Sequence, residues 1–186
     1  MEPGEHDLLR RAVEGDGPAF DRLVLTHTPR LYRLMRRMAS DRSEAEALVQ
    51  EAWLRAWVNR RRCSPEQPFF PWLARIATNA ARDAWRRKRP LDFADLGAAA
   101  EWVASDEPAA EFRLEEEEAK RRLADEVERL RPEWRMVLAL RYDGDLTYEQ
   151  IAAALGLPLN TVRTHLRRAK IALRKRLEDG DAVRVG

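Results

Sequence analysis

Apolar side chains along this chain recur three and four residues apart, which is typical of helices that bury one face. The spacing predicts a short helix near residues 8–13 and three longer helices that end before Arg89. We expect Ser43 to cap the second of the longer helices, with Glu46 at the capping-box position. The three apolar stripes are Phe20, Leu23, Val24, Leu31, Leu34, Met35 and Met38; then Ala45, Leu48, Val49, Ala52, Trp53, Ala56 and Trp57; and, after Pro71, Leu73, Ile76, Ala77, Ala80 and Ala84.

The composition changes after these helices. Residues 90–111 are rich in proline, alanine and acidic residues, which predicts an acidic flexible linker. Helical spacing resumes at Phe112, and a further helix follows Pro132. We therefore predict an all-α protein of two small domains, an N-terminal helical bundle over residues 1–89 and a C-terminal domain over residues 112–186.

The C-terminal domain contains the pattern of a helix-turn-helix. Thr147 and Gln150 have the spacing of a capping box, which starts a short helix. Gly156 can adopt the left-handed conformation that ends this helix, and Pro158 opens the next one. Two helices joined by so tight a turn cross steeply, and the second is then free to enter a DNA major groove.

The second helix of this motif has an apolar face and a basic face. Val162, Leu166, Ala169 and Leu173 form the apolar stripe. The polar residues at the helix start can reach base edges or bind phosphate through backbone amides, and the arginines outside the stripe suit bases or the DNA backbone. The residues that we assign to DNA are Asn160, Thr161, Arg163, Thr164, Arg167, Arg168 and Lys170. We assign Arg168, Arg174, Lys175 and Arg176 to the DNA backbone rather than to base edges. For residues 174–176 the alternative is a solvated helix end that the helix dipole favours.

Charge is strongly segregated within the net charge of +2. Residues 54–91 carry +8, residues 92–128 carry −9 and residues 154–177 carry +7. A single basic run is as often a solvated helix face as a binding surface. Two basic runs, each at a motif and separated by an acidic segment, indicate two nucleic-acid surfaces.

The composition also excludes several classes of function. Cys63 is the only cysteine and the three histidines are scattered, so we expect no metal site. The sequence contains no Gly-rich phosphate loop and no nucleophile motif, so we expect no cofactor and no catalytic residue. No apolar run approaches the roughly 20 residues that span a bilayer, and the N-terminus is acidic where a secretory signal is basic. We therefore expect a cytoplasmic protein without membrane insertion.

The first basic segment combines cations, aromatic residues and prolines ahead of a helix. Arginine can contact phosphate, an asparagine can pair with a base edge, and an aromatic ring can stack on an unpaired base, which is worth roughly 1–3 kcal/mol. Alternatively, the aromatic residues close the core of the bundle, which is the better interpretation for Trp72. The residues of this segment are Arg60, Arg61, Arg62, Phe69, Phe70, Trp72, Arg75, Asn79, Arg82 and Arg86.

Three motifs occur in order along the chain. Residues 44–53 read Glu-Ala-Glu-Ala-Leu-Val-Gln-Glu-Ala-Trp, and residues 72–87 read Trp-Leu-Ala-Arg-Ile-Ala-Thr-Asn-Ala-Ala-Arg-Asp-Ala-Trp-Arg-Arg. The third comprises residues 131–141 and 160–170. Together they resemble regions two and four of the bacterial RNA polymerase sigma factors of the small extracytoplasmic-function type. Ala47 departs from the family, which usually has Asp there, and Asn160 replaces a common Gly.

The resemblance implies a role for each motif. In that family the first motif docks on the coiled coil of the polymerase β′ subunit, although for Leu48 and Val49 burial in the bundle is the better interpretation. The second reads the minus-ten promoter region as it melts, which adds Asp83 and Arg87 to the residues of the basic segment. The third reads the minus-thirty-five duplex through residues 160–168. The implied docking residues are Glu46, Leu48, Val49, Gln50, Glu51, Trp53 and Leu54.

We predict an alternative sigma factor that is not itself an enzyme. Its predicted partners are core RNA polymerase, through the β′ and β subunits, promoter DNA as duplex and as melted strand, and an anti-sigma factor. The rival prediction is a free-standing dimeric helix-turn-helix regulator, which would not need the first two motifs. A nuclease that uses Asp83 with Glu66 is poorly supported, because two acids among so many arginines lack a metal-binding pattern.

Overall fold

The computed structural model describes residues 4–88 and 114–182, and every regular element within these ranges is helical. The first range contains α1 (Glu5–Glu14), α2 (Gly17–Arg36), α3 (Arg42–Asn59), a 3-10 turn (Arg60–Arg62) and α4 (Phe69–Lys88). The second contains α5 (Leu114–Glu128), α6 (Pro132–Tyr142), α7 (Tyr148–Leu155) and α8 (Leu159–Ala182). The all-α prediction is confirmed. The predicted linker over residues 90–111 lies outside the described residues, as does the predicted restart of helix at Phe112.

Short polar side chains set the starts of the N-terminal helices. The Asp16 carboxylate accepts a hydrogen bond from the Ala19 backbone N–H at 3.1 Å and caps α2. Asp41 caps α3 in the same way, accepting from the Glu44 backbone N–H at 2.7 Å. The prediction of Ser43 as this cap is wrong, because the helix already begins at residue 42 and Asp41 supplies the acceptor.

The predicted apolar stripes form the core of the N-terminal domain. α2 packs between α1 and α3, and α3 packs on α4. The stripe of α2 is buried at Leu23, Leu31, Leu34 and Met35, as expected for the inner face of an amphipathic helix. α4 is buried along two adjacent rows, because alanines and Thr78 allow close approach beside its leucine stripe.

The C-terminal domain is assembled around α8, which packs on α5, α6 and α7. The predicted capping box is present: Thr147 Oγ1 accepts from the Gln150 backbone N–H at 3.2 Å, and Gln150 Oε1 accepts from the Thr147 backbone N–H at 2.9 Å. Gly156 ends α7 with a φ of 64°, in the left-handed region that favours glycine. The helix-turn-helix is therefore formed as the sequence predicts.

The two domains pack against each other. α4 lies against α7, and the buried apolar residues of both domains belong to one continuous cluster. None of the described helices is long and apolar enough to cross a membrane.

Candidate polymerase and nucleic-acid interfaces

The inner face of α3 is occupied by the protein's own core. Leu48, Val49 and Trp53 are each less than a tenth exposed. The Trp53 indole N–H donates to Thr28 Oγ1 at 3.0 Å, and the ring meets Phe20 edge-on with centroids 5.7 Å apart. The burial of Leu48 and Val49 agrees with the interpretation that they pack in the bundle, and the burial of Trp53 argues for the same role over contact with polymerase.

The outer face of α3 is apolar as well. Leu54 is 61% exposed, and Val58, one turn further along, is 68% exposed. Ala47 and Gln50 continue the same face toward the helix start and are also exposed. Sequence reasoning missed Val58, although its spacing of four from Leu54, off the buried stripe, was an available signal. These four residues are called the outer α3 stripe below.

The predicted docking carboxylates beside this stripe are held in helical ion pairs. Glu46 accepts from Arg42 Nε at 2.9 Å, and Glu51 accepts from Arg55 Nε at 2.6 Å. An exposed pair of this kind contributes little to stability, so Glu46 can exchange its partner at low cost. Glu51 belongs to a larger network.

Arg55 joins α3 to α4 through that network. Its Nη1 donates to Asp83 Oδ2 at 2.8 Å, and the other oxygen of Asp83 accepts from Arg86 Nη2 at 2.9 Å. The hydrogen bond from Arg55 holds the pKa of the Asp83 carboxyl below its ordinary value, and the charges of Arg55 and Arg86 act in the same direction. Both carboxylate oxygens of Asp83 are thus engaged within the domain. This placement argues for a positioning role rather than the predicted contact with DNA.

The aromatic residues at the start of α4 point inward. Phe69 and Phe70 are almost fully buried. Phe69 lies 5.3 Å from the His27 ring and 6.1 Å from Trp53, centroid to centroid, and Arg30 lies 4.0 Å above the Phe70 ring. The burial of both rings favours the alternative interpretation, that they close the core of the bundle, over stacking on an unpaired base.

Solvent exposure varies among Trp72 and the arginines that precede it. Trp72 is half-buried and lies 5.6 Å from Phe69, so core packing, the better interpretation from sequence, accounts for most of its surface. Arg60 is half-buried over the Trp57 ring at 4.2 Å and donates to the Trp57 carbonyl at 3.0 Å. Arg61 and Arg62 are exposed, and their cations are accessible to phosphate.

α4 carries a polar stripe on its remaining face. Arg75, Asn79 and Arg86 are exposed at helical spacing, with Arg87 beside them. Arg82 lies within the stripe but is half-buried, and its Nη1 donates to the Leu155 carbonyl at the end of α7 at 3.0 Å. Burial lowers the pKa of this guanidinium. The residues called the α4 stripe below are Arg75, Asn79, Arg82 and Arg86.

α8 presents the predicted basic face to solvent. Its predicted apolar stripe packs inward, with Val162, Leu166 and Ala169 buried and Leu173 half-buried. The cations on the opposite side are free of ion pairs among the described residues, and Arg163 Nη1 lies 3.4 Å from Asn160 Oδ1. The exposed residues, called the α8 face below, are Asn160, Arg163, Thr164, Arg167, Arg168 and Lys170, while Thr161 is half-buried.

Toward the end of α8, from Lys170 onward, several cations have partners within the protein. The Lys170 ammonium lies 5.7 Å from the ring of Tyr142, and a hydrogen bond with that residue raises the pKa of the lysine. Sequence reasoning missed Tyr142, because a tyrosine at the end of a helix carries no signal of its neighbours across the fold. Arg174 and Arg176 pair with Glu178 at 2.8 Å and Glu126 at 3.4 Å, which favours the solvated helix end over contact with the DNA backbone.

Residues with metal-binding chemistry are not grouped in the described part of the chain. Glu66 lies 3.4 Å from His6, whereas Asp83 is engaged by two arginines. The acids of the nuclease hypothesis therefore have separate partners.

Comparison with known proteins identifies both domains. Residues 23–90 match the family model for sigma-70 region 2, and residues 120–173 match that for sigma-70 region 4. The chain is 31% identical over 178 residues to the extracytoplasmic-function (ECF) sigma factor SigW of Bacillus subtilis, covering 92% of this chain and 95% of SigW. The chain is an ECF RNA polymerase sigma factor. As such it directs core RNA polymerase to promoters when transcription begins.

Other sigma factors match over similar lengths. The sigma-H factor of Pseudomonas aeruginosa is 30% identical over 181 residues, which cover 94% of each chain. The solved structure of CnrH in complex with the cytosolic domain of CnrY superposes with a TM-score of 0.68 at 25% identity, covering 95% of this chain and 99% of that one. Because these matches run through both domains, the rival prediction of a free-standing dimeric regulator is not favoured.

Proposed function

We propose that the two domains of this sigma factor divide promoter recognition between them. Residues 1–89 dock on core polymerase and read the minus-ten element as it melts, and residues 112–186 read the minus-thirty-five duplex. Nucleotidyl transfer stays with polymerase, so the protein is not itself an enzyme. It acts in the cytoplasm, where core polymerase works.

The outer α3 stripe is the observation that carries the docking assignment. A helix that is apolar on both faces needs a cover for each, and exposed apolar neighbours on a rigid helix are typical of protein interfaces. The inner face of α3 is covered by the core, whereas Leu54 and Val58 are open to solvent. Gln50 and Glu46 offer polar contacts at the rim of the same surface. We assign Leu54, Val58, Gln50 and Glu46 to the contact with polymerase.

The α4 stripe and the α8 face supply the two DNA contacts. Asn79 combines an amide that can bond to a base edge with flanking arginines that can bind phosphate, which suits a strand as it opens. The α8 face has its cations on a helix that begins directly after the tight turn, as a recognition helix requires. We therefore assign the melted minus-ten element to α4 and the duplex element to α8.

A double substitution in the outer α3 stripe tests the docking assignment. Leu54→Asp with Val58→Asp places two charges in the proposed contact without touching the core. We expect binding to purified core polymerase, in the absence of DNA, to weaken by about tenfold or more, as for the loss of a buried apolar anchor. Ile171→Asp is the matched control, because Ile171 is 58% exposed but lies in the other domain.

The outcome also separates the sigma factor from the rival regulator. If neither the unsubstituted protein nor the control binds core polymerase without DNA, the proposed function fails. If both bind and the double variant binds equally well while retaining its helical circular dichroism, only the assignment to α3 is wrong.

An anti-sigma factor is a further proposed partner. It is supported by two structures, one of CnrH with the cytosolic domain of CnrY and one of RpoE with the anti-sigma factor NepR from Bartonella quintana. Crosslinking the tagged protein in cells, followed by mass spectrometry, checks this proposal. Recovery of a protein that displaces core polymerase in vitro supports it, and recovery of polymerase subunits alone contradicts it.

A further inference from the structure

The 3-10 turn between α3 and α4 consists of three consecutive arginines, Arg60–Arg62, and is called the basic turn below. Arg61 and Arg62 are exposed, whereas Arg60 is half-buried. The basic turn packs on α3 and on α1. α1 precedes the match to sigma-70 region 2, which begins at residue 23, and it contributes no residue to the proposed polymerase or DNA contacts. Its contact with the basic turn indicates what it does.

The Arg60 guanidinium is engaged within the protein on several sides. It lies over the Trp57 ring, 4.2 Å from Cζ to the ring centroid, and Nη1 donates to the Trp57 carbonyl at 3.0 Å. Nε is buried and has no hydrogen-bond partner among the described residues. Nη2 lies against Gly15, where a Cβ atom would stand 3.4 Å from it. A phosphate group therefore has little access to this arginine.

The partners of Arg60 are themselves fixed by the bundle. The Trp57 ring meets the Phe20 ring of α2 at a centroid distance of 5.0 Å. Gly15 caps the end of α1 with a φ of 106°, in the left-handed region that favours glycine, and its backbone N–H donates to the Ala12 carbonyl at 3.0 Å. Arg60 thus joins α3 to the end of α1, on a support that extends to α2.

The chain is also held just after the basic turn. The Cys63 backbone N–H donates to the Arg60 carbonyl at 2.9 Å, and the Cys63 side chain is buried. α1 meets the chain at a second point, where His6 lies 3.4 Å from Glu66. The backbone of the two exposed arginines is therefore fixed on both sides, so less conformational entropy is lost when they bind a phosphate.

We propose that Arg60 is a positioning residue, through which α1 presents Arg61 and Arg62 to phosphates of the melted promoter strand. This inference rests on the proposed function and gives Arg60 a different role from the DNA contact that the sequence predicted. Two adjacent cations on a fixed backbone suit successive phosphates of a strand and add affinity without sequence information. Arg60 itself contacts no DNA in this arrangement, so it acts only through its two neighbours.

Substitutions that keep the net charge separate positioning from direct contact. Arg60→Lys keeps the charge, but an ammonium group cannot reproduce the planar guanidinium that covers Trp57 and donates to its carbonyl. Gly15→Ala changes no charge and strains the end of α1, against which Arg60 rests. Arg62→Lys is the matched control, because an exposed lysine still binds phosphate as a point charge.

The measurement is binding of the full-length chain to a fluorescein-labelled random-sequence single-stranded DNA 12-mer, by anisotropy over a range of salt concentrations. Each phosphate contact contributes about 0.7 to the slope of log affinity against log salt, so Arg61→Gln with Arg62→Gln should reduce the slope by about 1.4. Arg60→Lys should weaken binding by about threefold or more and reduce the slope, although the charge is unchanged. Arg62→Lys should leave both nearly unchanged.

The proposal also predicts that the effect of Arg60 depends on its neighbours. In a chain that already carries Arg61→Gln and Arg62→Gln, Arg60→Lys should not weaken binding further, because no cation remains to be positioned. Circular dichroism establishes that each variant is folded. Should Arg60→Lys fail to fold, Gly15→Ala provides the same test from α1, with weaker binding and a smaller slope expected.

The outcomes are distinct. A smaller slope for Arg60→Lys that disappears in the chain lacking both neighbours supports the proposal. Unchanged binding by folded Arg60→Lys and Gly15→Ala overturns it, as does a loss that persists without Arg61 and Arg62. It is also overturned if removal of those two arginines has no effect on strand binding. Because the assay uses no polymerase, failure here leaves the proposed function standing, and failure to bind core polymerase leaves these results interpretable.

Discussion

α4 and α8 are both assigned to DNA, yet they are built differently. α8 buries one narrow stripe and leaves its cations in water, so its surface is ready for a duplex. α4 is buried along two rows and begins with two phenylalanines in the core. Its remaining stripe is interrupted by an arginine that already has a partner in the other domain. Because α4 contributes to both the core and the proposed interface, few of its side chains remain available to DNA. Substitutions in α4 and in α8 should therefore have different effects on stability and on DNA binding.

The largest expected effect is at the core end of α4. Phe69→Ala should lower the free energy of unfolding by about 3–5 kcal/mol, because it leaves a cavity among His27, Trp53 and Trp72. Urea denaturation followed by circular dichroism measures the change. Arg75→Ala, on the exposed face of the same helix, is the control and should change stability by less than about 0.5 kcal/mol. A Phe69 variant of normal stability that fails only in promoter opening would restore the stacking role.

α8 should show the reverse pattern, with loss of DNA binding and unchanged stability. Arg163→Ala or Arg167→Ala should weaken binding to the minus-thirty-five duplex by about 1–3 kcal/mol if the guanidinium is bidentate to guanine. Fluorescence anisotropy with cognate and scrambled duplexes measures the difference. Arg168→Ala, assigned to the DNA backbone, should weaken both duplexes equally and reduce the salt dependence. Equal losses on both duplexes for all three variants would show phosphate contacts alone.

Asn79→Ala addresses the exposed part of the α4 stripe. We expect it to slow promoter opening by the equivalent of about 1 kcal/mol, the contribution of one hydrogen bond, with less effect on binding to closed duplex. A promoter template with a pre-melted minus-ten region should recover part of the loss. Equal defects on duplex and pre-melted templates would show that Asn79 has no role in melting.

Asp83→Asn separates a positioning role from a DNA contact. Loss of the ion pairs with Arg55 and Arg86 should destabilise the protein by about 1 kcal/mol or less at pH 7, since the site is partly exposed. Because the folded state lowers the pKa of this carboxyl, its contribution is present above the ordinary value of 3.8 and is lost as pH falls through the lowered value. The difference from the unsubstituted protein should therefore shrink toward pH 2 in urea denaturation. A difference independent of pH would contradict this account.

Periodicity predicted the helices and the α8 face because both follow from local rules. A stripe at helical spacing must be buried, so residues off the stripe, such as Arg163 and Arg167, must face outward. Local rules were insufficient for Phe69 and Phe70. Near a helix start, next to arginines and prolines, an aromatic ring can face the core or the solvent, and only the packing of α2 and α3 decides.

The partners of the polar residues were harder still to predict. The sequence placed Arg82 correctly on the polar stripe of α4, but its acceptor, the Leu155 carbonyl, is 73 residues away and is a backbone atom. Every residue has a backbone carbonyl, so the sequence carries no signal that identifies which carbonyl accepts the hydrogen bond. Arg55 and Asp83 are 28 residues apart and on different helices, so their pairing also depended on how α3 crosses α4.

Transcription in vitro, from fragments of the source genome, tests promoter recognition most directly. Core polymerase is supplied alone, with this protein, or with the Asn79→Ala and Arg163→Ala variants, and RNA 5′ ends are mapped. We predict discrete 5′ ends that require this protein and share two upstream elements, with Arg163→Ala losing discrimination at the distal element and Asn79→Ala reducing initiation. The same 5′ ends with and without the protein would contradict the account.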